Sequence, residues 1–196
     1  MRYFLYIQIL FFLASCGKNY EQPGDQYFDQ GKFQQAIEAY DDYLQSNQAT
    51  TSILYNRGRS YEELKQWDKA LADYEEVIKM DAKSVNAYIS IANIKYEQKK
   101  YQQALLQANK ALEISVGVSQ AHFVAARAKH QLGYTDGALE SYSAAIDINR
   151  DFGEAYLYRG ALKVALKKNR SGCEDFLKAK NLDIPGAQEA LTKYCR

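Results

Sequence analysis

Proline is almost missing from this chain, at two residues in 196, and only eleven glycines accompany it. Few breakers, few β-branched runs and many Ala, Leu, Gln, Lys and Glu leave long helices uninterrupted. Neither sign of charge is in excess, with 25 basic against 24 acidic side chains. That excludes the basic footprint of a nucleic-acid binder, so no nucleic-acid partner is expected. There is no low-complexity segment, no nucleophile–base–orienter set, no glycine-rich phosphate loop and no metal-ligand spacing. Histidine occurs twice, at His122 and His130. On one helix these lie about 12 Å apart along the axis and cannot share a metal ion. His122 also falls in a core-facing column with Leu54, Tyr88 and Tyr156, and reads as a packed residue. The carboxylates read as solvated charge on helix exteriors. A non-catalytic chain without cofactor or metal is expected. The longest apolar run, Tyr3 to Leu13, is shorter than the about 20 residues that span a bilayer.

What is abundant is tyrosine, at 17 residues, and it recurs on a fixed interval. Tyr40, Tyr74, Ala108, Tyr142 and Phe176 are each 34 residues apart. Ala36, Ala70, Ala104, Ala138 and Gly172 keep the same interval, as do Gly24, Gly58, Ala92, Ala126 and Gly160. A repeat of this length marks a solenoid, whose units bury their apolar faces only against neighbours. Most of the tyrosines are then inter-helix packing. In the clearest unit, Leu54, Tyr55, Gly58, Tyr61 and Leu64 carry a first helix, and Trp67, Ala70, Leu71, Tyr74, Val77 and Ile78 a second. The i, i+3, i+4, i+7 spacing is helical. Pro23 is expected to open the first, short unit. Thr135 is predicted to cap the second helix of the fourth unit, and Asp151 with Glu154 to form a capping box opening the fifth.

These columns resemble the tetratricopeptide repeat (TPR) family from about Tyr20 to the end of the chain. The small slot at the helix–helix contact, the second-helix alanine and the aromatic plug stand where that family has them, and Phe33, Trp67 and Tyr101 fill the aromatic place opening the second helix. The departures are the missing closing proline (Ala82, Val116 and Arg150 stand there), Thr135 and Asn169 in the aromatic place, and Lys95, Lys129 and Lys163 in place of the first-helix tyrosine. The resemblance implies an all-α, right-handed helical-hairpin solenoid of about five repeats over residues 23–184. Beyond Pro185, Ala187, Ala190, Leu191 and Tyr194 form one apolar stripe, predicting a capping helix over 185–196.

The amino terminus carries a different signal. One positive residue, Arg2, the apolar run and the small residues Ala14 and Ser15 make a secretory signal peptide over 1–15. Leu13-Ala14-Ser15-Cys16 resembles the bacterial lipobox, and the alternative is an ordinary signal peptide ending before a cysteine. The resemblance implies diacylglyceryl transfer to the Cys16 thiol, cleavage before it, acylation of the new terminus and a lipidated tether over 16–22. Several acyl chains anchor a protein stably where one does not. Gly17, in place of an aspartate, leans toward the outer membrane by the family's sorting rule. Loss of Arg2 leaves the charges balanced, so attachment would come from lipid rather than a polybasic patch. Export would place Cys173 and Cys195 in an oxidising compartment. Antiparallel packing of the last repeat helix and the cap brings their ends together, which allows a disulfide; two unpaired thiols are the alternative.

In TPR arrays the first helices line a concave side where ligands lie. The register puts Tyr55, Asn56, Arg59, Ile89, Asn93, Tyr96, Phe123, Arg127, His130, Leu157 and Tyr158 on or near that side, a mix suited to an extended peptide or partner helix. The basic carboxylate clamp of TPR co-chaperones is missing, because its places hold Tyr55, Arg59, Ser90, Gln120 and Val124. The expected function is a protein-interaction scaffold at a bacterial envelope, facing the periplasm. The alternative is an envelope receptor for a small glycan or peptide. An enclosed aromatic pocket with convergent polar groups would favour the receptor, and a long shallow groove the scaffold.

Overall fold

The computed structural model describes residues 22–195, so the signal peptide, Cys16 and nearly all of the tether lie outside the described residues. Eleven helices and no strands are present among those described. A short α1 (Asp25–Asp29) and α2 (Phe33–Ser46) make the first unit. Four hairpins follow: α3 (Thr51–Glu63) with α4 (Trp67–Met80), α5 (Val85–Glu97) with α6 (Tyr101–Ile114), α7 (Ser119–Gln131) with α8 (Thr135–Ile148), and α9 (Gly153–Ala165) with α10 (Asn169–Asn181). α11 (Ala187–Tyr194) closes the stack. Pro23 lies in the turn ahead of α1, whose N-cap is Gly24, rather than inside the helix.

The plug column is the deepest part of the core. Tyr40, Tyr74, Ala108, Tyr142 and Phe176 are all fully buried, as are Ala36, Ala70, Ala104, Ala138, Ala92 and Ala126. The small slot answers the plug directly. A Cβ on Gly58 would stand 2.7 Å from the Tyr74 ring, and one on Gly160 would meet both Phe176 at 2.9 Å and the Gly172 carbonyl at 3.0 Å. In the third unit plug and slot are both alanine, and α5 and α7 touch each other directly. At the carboxyl end Ile184 packs on Gly153, where a Cβ would collide with it, and Leu182, Ile184 and Ala187 seat the cap against α9.

Helix ends are set by a backbone device that side-chain patterns did not announce. One residue after each first helix is left-handed: Gly31, Lys65, Lys99, Gly133 and Lys167, at φ between 56° and 79°. The next residue's N–H reaches back five positions, as in Gln66 to Tyr61 at 2.8 Å and Lys100 to Lys95 at 2.8 Å. This is a Schellman turn repeated on the 34-residue interval, and it satisfies the carbonyls that end each first helix. Three lysines accept the left-handed conformation despite their Cβ atoms.

Two expected caps are corrected, one by this turn and one by the turn ahead of α9. Because the second helix starts directly after the Schellman turn, Tyr134 takes the N-cap place of α8, and the Thr135 hydroxyl donates to the Gly133 carbonyl at 3.3 Å. At α9 the N-cap is Phe152; Asp151 stays in the preceding turn, its N–H donating to Asn149 Oδ1, and no capping box forms with Glu154. Among the described residues only Thr50 caps a helix with its side chain, accepting from the Ile53 N–H at 3.3 Å.

Carboxylates are not all on helix exteriors, contrary to the sequence reading. Asp73 and Asp175 are only 6% and 4% exposed. Arg57 grips Asp73 with two bonds, at 2.9 and 2.6 Å, and reaches Asp41 at 2.7 Å. Three units on, Arg159 grips Asp175 at 2.9 and 2.8 Å and reaches Ser143 at 2.9 Å, while Lys163 adds a further contact to Asp175 at 2.8 Å. The hydrogen bond to Asp73, with the carboxylate charge, holds the Arg57 guanidinium above its already high range and fully charged.

Candidate functional site: the face of the first helices

The candidate residues sit on α3, α5, α7 and α9, and the structure sorts them into three groups. Ile89 and Phe123 are buried, at 7% and 5% exposure, inside the clusters between neighbouring hairpins. Leu157 is half-buried against the same cluster as Phe123. These three hold the stack together, so the continuous apolar rail that the register places beside the arginines is mostly core. Tyr55 and Asn56 are half-buried and engaged. Tyr55 lies 5.4 Å from the Tyr74 ring with its hydroxyl 3.5 Å from Ser90 Oγ, and Asn56 donates to Asp25 at 3.0 Å. Arg59 and Tyr158 are exposed. Asn93, Tyr96, Arg127 and His130 are half-buried along the face.

The two arginines at corresponding places differ in setting. Arg59 stacks on Phe28 with its guanidinium carbon 4.3 Å from the ring centroid. Arg127 lies 3.8 Å over Tyr96 and 5.7 Å from each of Phe123 and Tyr158, an aromatic enclosure that leaves its side chain 18% exposed. A cation over several rings is favourable, and more so when shielded from water. Its one ionic contact among the described residues is a 3.3 Å bond to Glu97. His122, outside this face, is half-buried with Nε2 2.8 Å from the Val116 carbonyl, a packing role at the start of α7.

The plug tyrosines reach this face with their hydroxyls. Tyr40 donates to Asp25 at 2.6 Å, and Tyr74 donates to Glu62 at 2.7 Å. Burial pushes the Glu62 carboxyl above the usual carboxylate range, against the pull of the Tyr74 hydroxyl. The Tyr142 hydroxyl, by contrast, is buried without a partner among the described residues, and so is Arg127 Nε. Asp25, Glu62 and the three hydroxyls were missed in the sequence because the plug column reads as filler. The signal was available: Asp25 stands one 34-residue step before Arg59, so the polar column begins in the first unit.

A chemical test separates these tyrosines. Tyr40→Phe and Tyr74→Phe each remove a donor from a carboxylate and should cost about 1–3 kcal/mol. Tyr142→Phe removes a hydroxyl with no partner and should leave stability unchanged or slightly raised. Urea midpoints of the three variants measure the difference. Equal losses would mean that the Tyr142 hydroxyl is satisfied as the others are.

Repeated helical hairpins in one register, with a polar and aromatic first-helix face and a capping helix, define a solenoid interaction domain. Family models for the tetratricopeptide repeat match residues 24–85, 55–117 and 119–152, and the chain belongs to that family. No curated protein matches it in sequence. Among solved structures, MamA superposes with a TM-score of 0.71 at 22% identity, covering 89% of this chain and 99% of that one. TTC0263, a thermophilic TPR protein of Thermus thermophilus, gives 0.68 at 17% identity over 88% of this chain and 93% of its own. YrrB, described as a TPR protein with an unusual peptide-binding site, gives 0.66 at 16% identity over 86% and 88%. These likenesses establish the fold, and no enzyme family is indicated. Among the described residues no helix is long and apolar enough to cross a membrane, and no group of His, Cys, Asp and Glu is placed to hold a metal ion.

Proposed function

We propose that this chain is a non-catalytic scaffold that binds a protein or peptide partner along its first-helix face while N-terminal lipid on Cys16 holds it at the bacterial envelope. The observation that carries the binding role is the face itself. Arg59, Asn93 and Arg127 stand in one column across three units, with Tyr96, His130 and Tyr158 beside them, none fully buried. Exposed or half-exposed arginine and tyrosine are the side chains that dominate protein interfaces. YrrB, with the same fold, is described as having a peptide-binding site. Large surface depressions, each about 440 Å³, lie elsewhere: one at the turn around Lys65, Trp67 and Gln98, another around Arg150, Tyr156 and Asn181. A smaller depression of about 180 Å³ includes the face residue Tyr55 with Thr51, Ser52, Asp81 and Ser84, and a shallow site of that size suits an extended partner better than an enclosed small ligand, which favours the scaffold over the receptor. Membrane attachment rests on the lipobox-like Leu13-Ala14-Ser15-Cys16, and outer-membrane sorting on Gly17.

Fractionation with affinity capture tests both halves. The Arg59→Ala/Arg127→Ala chain should stay with membranes, keep its helical content and lose its partner. Cys16→Ala should lose metabolic acyl labelling and leave the membrane fraction. Partner capture at native level by the double variant, or unchanged acyl labelling of Cys16→Ala, contradicts the corresponding half.

A further inference from the structure

The buried hydroxyls of the plug column obey a rule with one exception. Tyr40 bonds Asp25, fifteen residues before it, and Tyr74 bonds Glu62, twelve before it. Where the plug has no hydroxyl, at Ala108 and Phe176, those two places hold no carboxylate: Asn93 and Tyr96 in the third unit, Ala161 and Val164 in the fifth. In the fourth unit the plug is Tyr142, whose hydroxyl needs a partner, yet the two places hold Arg127 and His130. The hydroxyl is orphaned in a fully buried residue, and Arg127 Nε beside it is orphaned too. Two donors, one of them cationic, therefore stand in the fourth unit where the other two tyrosine-plugged units keep a carboxylate.

An unpaired buried polar group costs about 1–3 kcal/mol, and native structures carry few of them. The guanidinium can donate to the phenolic oxygen but cannot accept the hydroxyl proton, so it leaves the Tyr142 O–H without an acceptor. A carboxylate satisfies both groups at once. We propose that the fourth unit binds an acidic side chain of a partner peptide, whose carboxylate accepts from the Tyr142 hydroxyl and Arg127 Nε–H and so fills the place that Asp25 and Glu62 fill from within the chain. This rests on the scaffold reading and names what the partner must offer. The source is an Asp or Glu side chain, because the internal occupants are side chains entering from the first-helix face. A neutral amide is the weaker occupant: the Arg127 charge, shut in by Tyr96, Phe123 and Tyr158, has only the 3.3 Å contact to Glu97, which is itself 55% exposed. A charge-assisted bond in this shielded setting is stronger than one to an amide.

The covered donors need an opening, and the exposed ring beside them is Tyr158. Its ring stacks on Tyr142 at 6.4 Å with the planes 21° apart, and it is exposed on its outer side. Binding requires this one side chain to rotate aside, a motion open to an exposed rotamer on a fast timescale and without moving a helix. Tyr158 stands where the second unit has Asn56, the residue that bonds Asp25 from the neighbouring helix. Its own hydroxyl is thus placed to join the carboxylate once the ring has turned.

The side-chain Nε–H resonance of Arg127 reads this contact in the full chain held in detergent micelles, and it is assigned by its loss in Arg127→Lys. An acetylated, amidated pentapeptide with one glutamate among alanines should shift that resonance, and its glutamine twin should not. Tyr142→Phe should weaken the glutamate peptide about tenfold, a change of about 1.4 kcal/mol, with melting unchanged. Equal shifts from both peptides, no shift from either, a shift only when the peptide's own terminus is left free, or native affinity in Tyr142→Phe would each overturn the proposal. If one of these occurs while Arg59→Ala/Arg127→Ala still loses the partner, the carboxylate assignment fails and the scaffold reading stands. If the double variant keeps its partner as well, the first-helix face is not where binding occurs.

Discussion

Arg57→Ala should destabilise the array by about 3–5 kcal/mol, the cost of leaving a buried carboxylate unpaired. Asp73 is 6% exposed, and both of its oxygens are held by this one guanidinium. The corresponding Arg159→Ala should cost less, because Lys163 still reaches Asp175 at 2.8 Å. Replacing Arg57 and Asp73 together with leucine should return much of the loss, since a buried pair and a well-packed apolar pair differ little in stability. Urea denaturation followed by circular dichroism measures all three, with the slope checked because repeat arrays can unfold in stages. Equal, small losses for Arg57→Ala and Arg159→Ala would mean that Asp73 finds water or another cation once Arg57 is gone. The pair also fixes geometry. Each guanidinium spans from a first helix to the second helices on both sides of it, reaching residues sixteen places away in either direction, so it sets the spacing of adjacent hairpins.

Breaking the carboxyl-terminal staple should cost about 3 kcal/mol, the loop-closure value for a span of this length. Cys173 and Cys195 are bridged, with Cα atoms 5.7 Å apart and a sequence separation of 22. Cys173 lies in α10 and Cys195 directly follows α11, so the bridge ties the cap to the last hairpin. The cap has little else to hold it. Only Ala187 of α11 is fully buried, and Tyr194 meets Phe176 at 6.3 Å while staying 44% exposed. Cys173→Ser/Cys195→Ser should therefore lower the melting temperature and raise hydrogen exchange in α11 first, with α3 to α6 little affected. A non-reduced digest of the native chain should contain the two peptides linked. Two freely alkylatable thiols, or unchanged exchange in α11 of the double variant, would contradict this.

The fold was legible because a fixed period constrains every unit at once. The plug, the alanine slot and the glycine slot each repeat on the same interval, and a chance match cannot hold three columns in register. Helix ends were less legible. The Schellman turns place lysine at Lys65, Lys99 and Lys167 where glycine would announce the turn, and the side-chain capping patterns at Thr135 and Asp151 misled because Tyr134 and Phe152 take the N-cap places. The buried ion pairs were missed because Arg57 and Arg159 occur in only two units. The column between them holds Ile91 and Ala125, which hides the polar role. On the first-helix face, periodicity placed residues on the right side but could not give their depth. Ile89 and Phe123 share the register of Tyr55, yet they sink between hairpins, Ile89 into the room left by Ala108 and Phe123 against Tyr142 and Phe152.

The central claim is that the first-helix face carries the partner, and site-specific photo-crosslinking tests it most directly. A photoreactive residue in place of Asn93 or Tyr158 in the full chain, in its own cells, should give a discrete crosslinked partner band. The same residue in place of exposed Leu106 on α6 or Glu174 on α10, on the second helices, should give none. Crosslinks confined to the second-helix positions, with Asn93 and Tyr158 silent, would contradict the account.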